Sequence, residues 1–189
     1  MSTKLDHRAF EADPDNRWLW RMNRKRLEVE AWRDAMLAVA GTLDRTVGGP
    51  SLDLKNPGNR RRTLYGAVSR HELNSLLRLF DFPDPNITSE KRTVTTVPVQ
   101  QLFVLNSEFM VNNAKALAAR LTADPTRPDA QRIRDAFLLV YGRPVTAREL
   151  ELGLAFLSAE GPPPSGVSLT RWEQYAQVLL SANEFLYVD

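Results

Sequence analysis

From Arg24 to Leu43 apolar residues return at helical spacing, between an Asp13-Pro14-Asp15-Asn16 turn with Trp18 and Trp20 on one side and Gly48-Gly49-Pro50 on the other. Leu27, Ala31 and Ala35 form one row, and Trp32, Met36, Val39, Ala40 and Leu43 the neighbouring one, while Glu28, Glu30, Arg33 and Asp34 lie largely off the stripe. A stripe that broad must be covered by other elements, so the spacing predicts a packed helix over 24–43. Glu30 and Asp34 are like charges at i, i+4, a conflict of a few tenths of a kcal/mol unless a cation such as Arg26 or Arg33 intervenes.

The rest of the chain continues the helical theme with irregular interruptions. Residues 48–62 carry Gly, Pro and Asn beside three arginines and read as an exposed loop. Residues 63–68 suit a short extended segment, and a helix is expected from Arg70 to Phe80, closed by Asp81-Phe82-Pro83-Asp84-Pro85. Ile87 to Val97 is rich in Thr and Val; it suits either a strand paired with 63–68 or an irregular extended crossing. Pro98 opens a helix that breaks near Asn106-Ser107 and resumes to Leu121. A further helix starts at 126–129 and is closed by Gly142-Arg143-Pro144. Thr146/Glu149 and Thr170/Glu173 have the spacing of capping boxes, and the Pro162–Gly166 stretch reads as a surface linker.

These features predict a mainly α, irregular helical bundle with long loops and room for one minor two-stranded element. The expected organisation is a single helical domain over 1–189, with long crossings in 1–122 and a three-helix unit in 126–189.

Chemistry is sparse. The 189 residues include no cysteine and only two histidines, His7 and His71, which removes disulfides, thiolate nucleophiles, Cys-ligated metals and covalent c-type haem attachment. Asp13 with Asp15, or Asp81 with Asp84, can be imagined as cation ligands, but Asp beside proline more often caps its own turn. Ser69 and His71 lack a nucleophile elbow, and Gly48-Gly49 lacks the spacing of a phosphate loop. No cofactor is expected. Residues 1–100 carry 17 Lys and Arg against 13 Asp and Glu, and the remainder 8 against 10. That mild asymmetry, with acids interleaved, makes nucleic-acid binding through Arg24-Lys25-Arg26 and Arg60-Arg61-Arg62 the weakest reading. The tryptophans are expected in the core. No targeting signal and no stretch of about 20 apolar residues is present, so no membrane insertion is expected.

Several phrases occur together and in order: Asp13-Pro14-Asp15-Asn16-Arg17-Trp18-Leu19-Trp20-Arg21, Arg26-Leu27-Glu28-Val29-Glu30-Ala31-Trp32-Arg33-Asp34, Phe80-Asp81-Phe82-Pro83-Asp84-Pro85, Thr95-Thr96-Val97-Pro98-Val99-Gln100-Gln101-Leu102 and Ala182-Asn183-Glu184-Phe185-Leu186-Tyr187-Val188-Asp189. Their combination resembles the domain of unknown function at the C-terminus of planctomycete cytochrome c domain-containing proteins, and this chain resembles its C-terminal part, without the usual upstream segment. The resemblance implies a place in a large exported polypeptide, hence a periplasmic or extracellular setting, and assigns no catalytic residue.

The leading expectation is therefore a non-catalytic interaction or assembly module, whose partners are other domains of the parent polypeptide or separate proteins. The alternative is a glycan-binding or hydrolytic domain working on an extracellular substrate, with a polar site near Arg26, Glu30, Arg33, Asp34, Asp81 and Asp84. Arg70, Gln101 and Asn106 complete the candidate binding set. Convergence of these groups in one cleft is what would favour the alternative.

Overall fold

The computed structural model describes residues 5–159 and 169–188; the expected linker at 162–166 lies outside them. The chain is mainly α with one two-stranded antiparallel sheet. In order come α1 (His7–Ala12), β1 (Lys25–Arg26), α2 (Val29–Val39), a 3-10 turn (Thr63–Tyr65), α3 (Ser75–Leu79), α4 (Pro98–Asn106), α5 (Glu108–Leu121), α6 (Asp129–Tyr141), α7 (Ala147–Ser158), α8 (Arg171–Ser181), α9 (Asn183–Leu186) and β2 (Tyr187–Val188).

The expected helix over 24–43 is shorter at both ends. Lys25 and Arg26 instead pair with Val188 and Tyr187, and Leu27 N–H donates to the Leu186 carbonyl at 2.8 Å. The two-stranded element therefore exists, but it joins the ends of the fold rather than 63–68 and 87–97. At its C-terminus α2 stops at Gly41, whose φ of 76° only glycine adopts without strain. Gly41 N–H donates to Ala38 and Thr42 N–H to Leu37, a closure that satisfies carbonyls with no helical partner.

Three other expectations need correction. The helix expected over 70–80 covers only Ser75–Leu79, because Asn74 caps it by accepting from Leu76 N–H at 2.9 Å. Residues 63–65 form a 3-10 turn rather than a strand, and the bridge at Gly66 is to Leu52. The last helix breaks at Ala182 before α9, while residues 87–97 take the second of their two expected forms, an irregular crossing. The break at Ser107, both capping boxes and the left-handed Gly142 stand as expected. Helix α1, capped by Asp6, had not been anticipated.

One apolar cluster runs from Val29 of α2 to Phe185 of α9. Met36, Met110, Ala114, Leu117, Ile133, Ala136, Ala176 and Leu180 are almost fully buried in it. Trp32 is buried, stacked on Phe80 at 4.9 Å. Trp18 departs from the core expectation: it is 79% exposed, because its turn turns inward through Asp13 and Asn16 instead.

Candidate functional site

The polar residues expected to share a site divide among three places. The first is a knot around Arg26, whose side chain is 4% exposed. Strand pairing at β1 drives this guanidinium inward, where it donates to Gln100 Oε1 at 3.0 Å, to Asp81 Oδ2 at 2.5 Å and to the Thr95 carbonyl. Asp81 sits at φ 63°, turned so that its carboxylate also accepts from Thr95 N–H at 2.9 Å and Thr95 Oγ1–H at 2.6 Å. Burial pushes the Asp81 carboxyl up, but the donors from Thr95 and Arg26 outweigh it and hold it below the usual range. Gln100 closes the knot by donating to the Leu79 carbonyl at 2.9 Å.

Arg33, 2% exposed, turns away from that knot. It donates to the carbonyls of Asn59 at 2.5 Å and Arg61 at 3.0 Å and to Thr63 Oγ1 at 3.1 Å. Burial pulls its guanidinium down from its ordinary value, with Asp34 opposing, yet a group of this basicity remains charged.

The third place is a cleft of about 470 Å³ beside α2, lined by Glu28, Glu30, Asp34, Arg62, Phe82 and Arg92 among others. Arg92 forks onto Glu30 with two bonds of 2.8 Å and reaches Glu28 at 3.1 Å, stacking 5.1 Å over Phe82. Burial opposes the Glu30 charge, but the Arg92 fork wins and lowers its pKa. Asp34 accepts from Thr63 N–H and Oγ1–H, both at 2.7 Å, with Arg62 3.6 Å away. The like-charge conflict on α2 is thus relieved by Arg92 on Glu30 and by Arg62 on Asp34, with the Arg33 charge acting on Asp34 as well, whereas Arg26 pairs with Asp81 instead.

Of the proposed set, then, only Glu30 and Asp34 share this cleft, and Arg26 and Asp81 share the knot. Asp84 caps its own turn through Asn86 N–H at 2.9 Å, and the Arg70 carbonyl accepts from the Asn86 amide at 2.8 Å. Gln101 is exposed on α4, and Asn106 donates to the Leu102 carbonyl one turn back. Arg92, Thr63, Thr95 and Gln100 were missed. The Thr residues carry no sequence signal of their role, and Gln100 was passed over for its exposed neighbour. Ser69 Oγ accepts from His71 and Glu72 N–H groups as an ordinary turn cap, and His71 lies in coil rather than in a first helical turn. Among the described residues no group of three or more His, Cys, Asp or Glu is placed to hold a metal, and no helix is long and apolar enough to cross a membrane.

Helix α4 presents the contrasting surface. Its inner face buries Gln100 and Val104, yet its outer face shows Val99 and Leu102 at 58% exposure each and Leu105 at 51%. Val94 and Val97 extend the strip upstream. Val178 of α8 borders it, next to Gln177, whose amide donates to the Leu105 carbonyl at 2.7 Å.

A mainly helical protein in which Glu30, Asp34 and Asp81 are held in internal pairs, and in which one helix face is apolar and exposed, is the class that emerges. The sequence matches PSD1, protein of unknown function (DUF1553), over residues 1–157, and the chain belongs to that family. No curated protein and no solved structure matches it.

Proposed function

We propose that this chain is a non-catalytic interaction module that docks the apolar surface of another folded domain, either in the same polypeptide or on a partner protein, through the outer face of α4. The observation that carries the reading is that α4 shows apolar side chains on its uncovered side: Val99, Leu102 and Leu105 face solvent at half exposure or more. Exposed apolar surface of this kind, with Val99, Leu102 and Leu105 on one helix face, marks a contact site. The pairing of Glu30, Asp34 and Asp81 with their own arginines and threonines supports the absence of catalysis, since a general acid or base must be free to exchange its proton. An exported setting rests on the resemblance described above.

The test places a photo-crosslinking residue at Leu102 in the polypeptide as its host produces it, with Glu151 on the exposed face of α7 as control. A discrete adduct at position 102, lost when Leu105 is changed to Lys, is the expected result. Absence of an adduct, or turnover of a polysaccharide by the purified chain that is lost in Glu30→Gln, overturns the reading.

A further inference from the structure

A second cleft, of about 400 Å³, opens on the other side of α2, between its C-terminal turn, the 57–60 loop and α5. Its polar lining is Thr42, Arg60, Asn112 and Asn113, its apolar wall includes Leu37 and Phe109, and no carboxylate contributes to it. Unlike Arg26, Arg62 and Arg92, Arg60 pairs with no described carboxylate, and unlike Arg33 its side chain is exposed. Its backbone, by contrast, is held firmly. Arg33 grips the carbonyls of the residues on either side, Asn59 and Arg61, and the Arg60 carbonyl accepts from Asp44 N–H at 2.8 Å. Asn113 is 95% buried on the apolar face of α5, between Met110 and Leu117, where a hydrocarbon side chain would pack without polar cost. Its Nδ2 donates to the Phe109 carbonyl at 2.8 Å, and its Oδ1 accepts from no described residue while the side chain lines the cleft.

An exposed arginine with no described counter-ion, an asparagine Oδ1 left open at the cleft and an aromatic wall together describe a recognition site for an anion with a hydrogen-bond donor beside it and an apolar body. We propose that this cleft binds a carboxylate of that kind, an N-acyl amino acid or the C-terminus of a peptide. Arg60 takes the carboxylate as a fork, Asn113 Oδ1 accepts the neighbouring N–H, and the apolar body lies against Phe109 and Leu37. The inference stands independently of the docking role proposed for α4, whose outer face shares none of these side chains.

The experiment titrates the isotopically labelled chain with N-acetyl-L-leucine, with its uncharged primary amide and with a tetrapeptide ending in leucine, following amide resonances by NMR. The expected result is that the acid, the peptide or both shift the Asn113 side-chain amide and the Gly58 and Ala116 backbone amides below about 10 mM, while the uncharged amide does not. Response to the peptide alone assigns the site to chain termini; response to both assigns it to the carboxylate group itself. Arg60→Gln weakens binding by about tenfold or more without changing the thermal midpoint, because its fixed contacts are made by backbone, whereas Arg62→Gln leaves binding unchanged. Equal binding of acid and amide, an unaltered titration in Arg60→Gln, or no shifts with any of the three probes overturns the proposal.

Discussion

Residues 25–106 and 107–186 bury their chain by different physical means. In the second region α5, α6 and α8 press Met110, Leu117, Ile133 and Leu180 together, and backbone groups are satisfied within helices closed by Thr146/Glu149, Gly142 and Thr170/Glu173. In the first, the segments around 59–63 and 81–97 cross between short helices, so their buried carbonyls have no ladder to join. Arg26 and Arg33 take those carbonyls instead, together accepting responsibility for Asn59, Arg61 and Thr95. An irregular crossing can run through an interior only if something supplies donors, and a guanidinium carries five in one rigid group.

The comparison breaks most readily at Arg33. Replacing it with Leu keeps apolar bulk but strands the Asn59 and Arg61 carbonyls and Thr63 Oγ1, and the loss should be about 3–5 kcal/mol in urea unfolding. That is comparable to truncating a large core side chain. A loss below about 1 kcal/mol would show that water or a rearranged loop replaces the guanidinium, and that the first region is held by its apolar contacts alone. Smaller by design is Thr170→Ala in the second region. The Thr170 hydroxyl accepts from Glu173 N–H at 3.3 Å, and losing this cap should cost about 1 kcal/mol. A much larger loss would mean that the helices there depend on polar closure as heavily as the crossings depend on arginine.

How much could be read from the sequence follows the same division. The second region was legible nearly residue by residue, because periodicity, capping boxes and Gly142 are local signals written within one helix. In the first region, the packed stripe of α2 was legible but its limits were not. Gly41 ends the helix in a way the pattern through Leu43 concealed, and pairing with Tyr187 and Val188 claims Lys25 and Arg26 from the opposite end of the chain. The same reasoning explains the site. Glu30 and Asp34 were correctly seen as a conflict on one helix face, but the cations that pair with them, Arg92 and Arg62, stand 62 and 28 positions away. Charge pairing over such separations leaves no periodic trace. The α4 outer face was missed because an apolar periodicity does not say which side will be covered.

Acid should sharpen the contrast from the second region's surface. Arg143 packs over Phe137 and Tyr141 and forks onto Glu149 at 2.7 and 3.0 Å, which, with the Thr146 donors, lowers the Glu149 carboxyl to about 2 against burial. Because the folded pKa lies below the ordinary 4.5, the stabilisation is fully present above that value and is lost as pH falls towards about 2. Solvent screening of this pair, whose side chains are 34% and 30% exposed, limits the effect to about 1 kcal/mol. Wild type and Glu149→Gln, unfolded by urea across this range, should therefore differ at pH 6 and converge near pH 2. A difference that persists at the acid end would assign the effect to packing rather than charge.

The smallest expected effect separates burial from charge pairing as the source of the first region's stability. Lys55 and Glu72 approach to 2.5 Å, as close as Arg26 and Asp81, but their side chains are 52% and 73% exposed against 4% and 15%. Geometry is thus matched while environment differs. Water already solvates both charges of the exposed pair, so joining them gains little Coulomb energy and costs side-chain freedom. Lys55→Gln should leave the unfolding midpoint unchanged in low and high salt alike. If it destabilised the chain as Arg33→Leu does, ion pairing as such would hold the crossings, and the buried arginines would owe their importance to charge rather than to the carbonyls they satisfy.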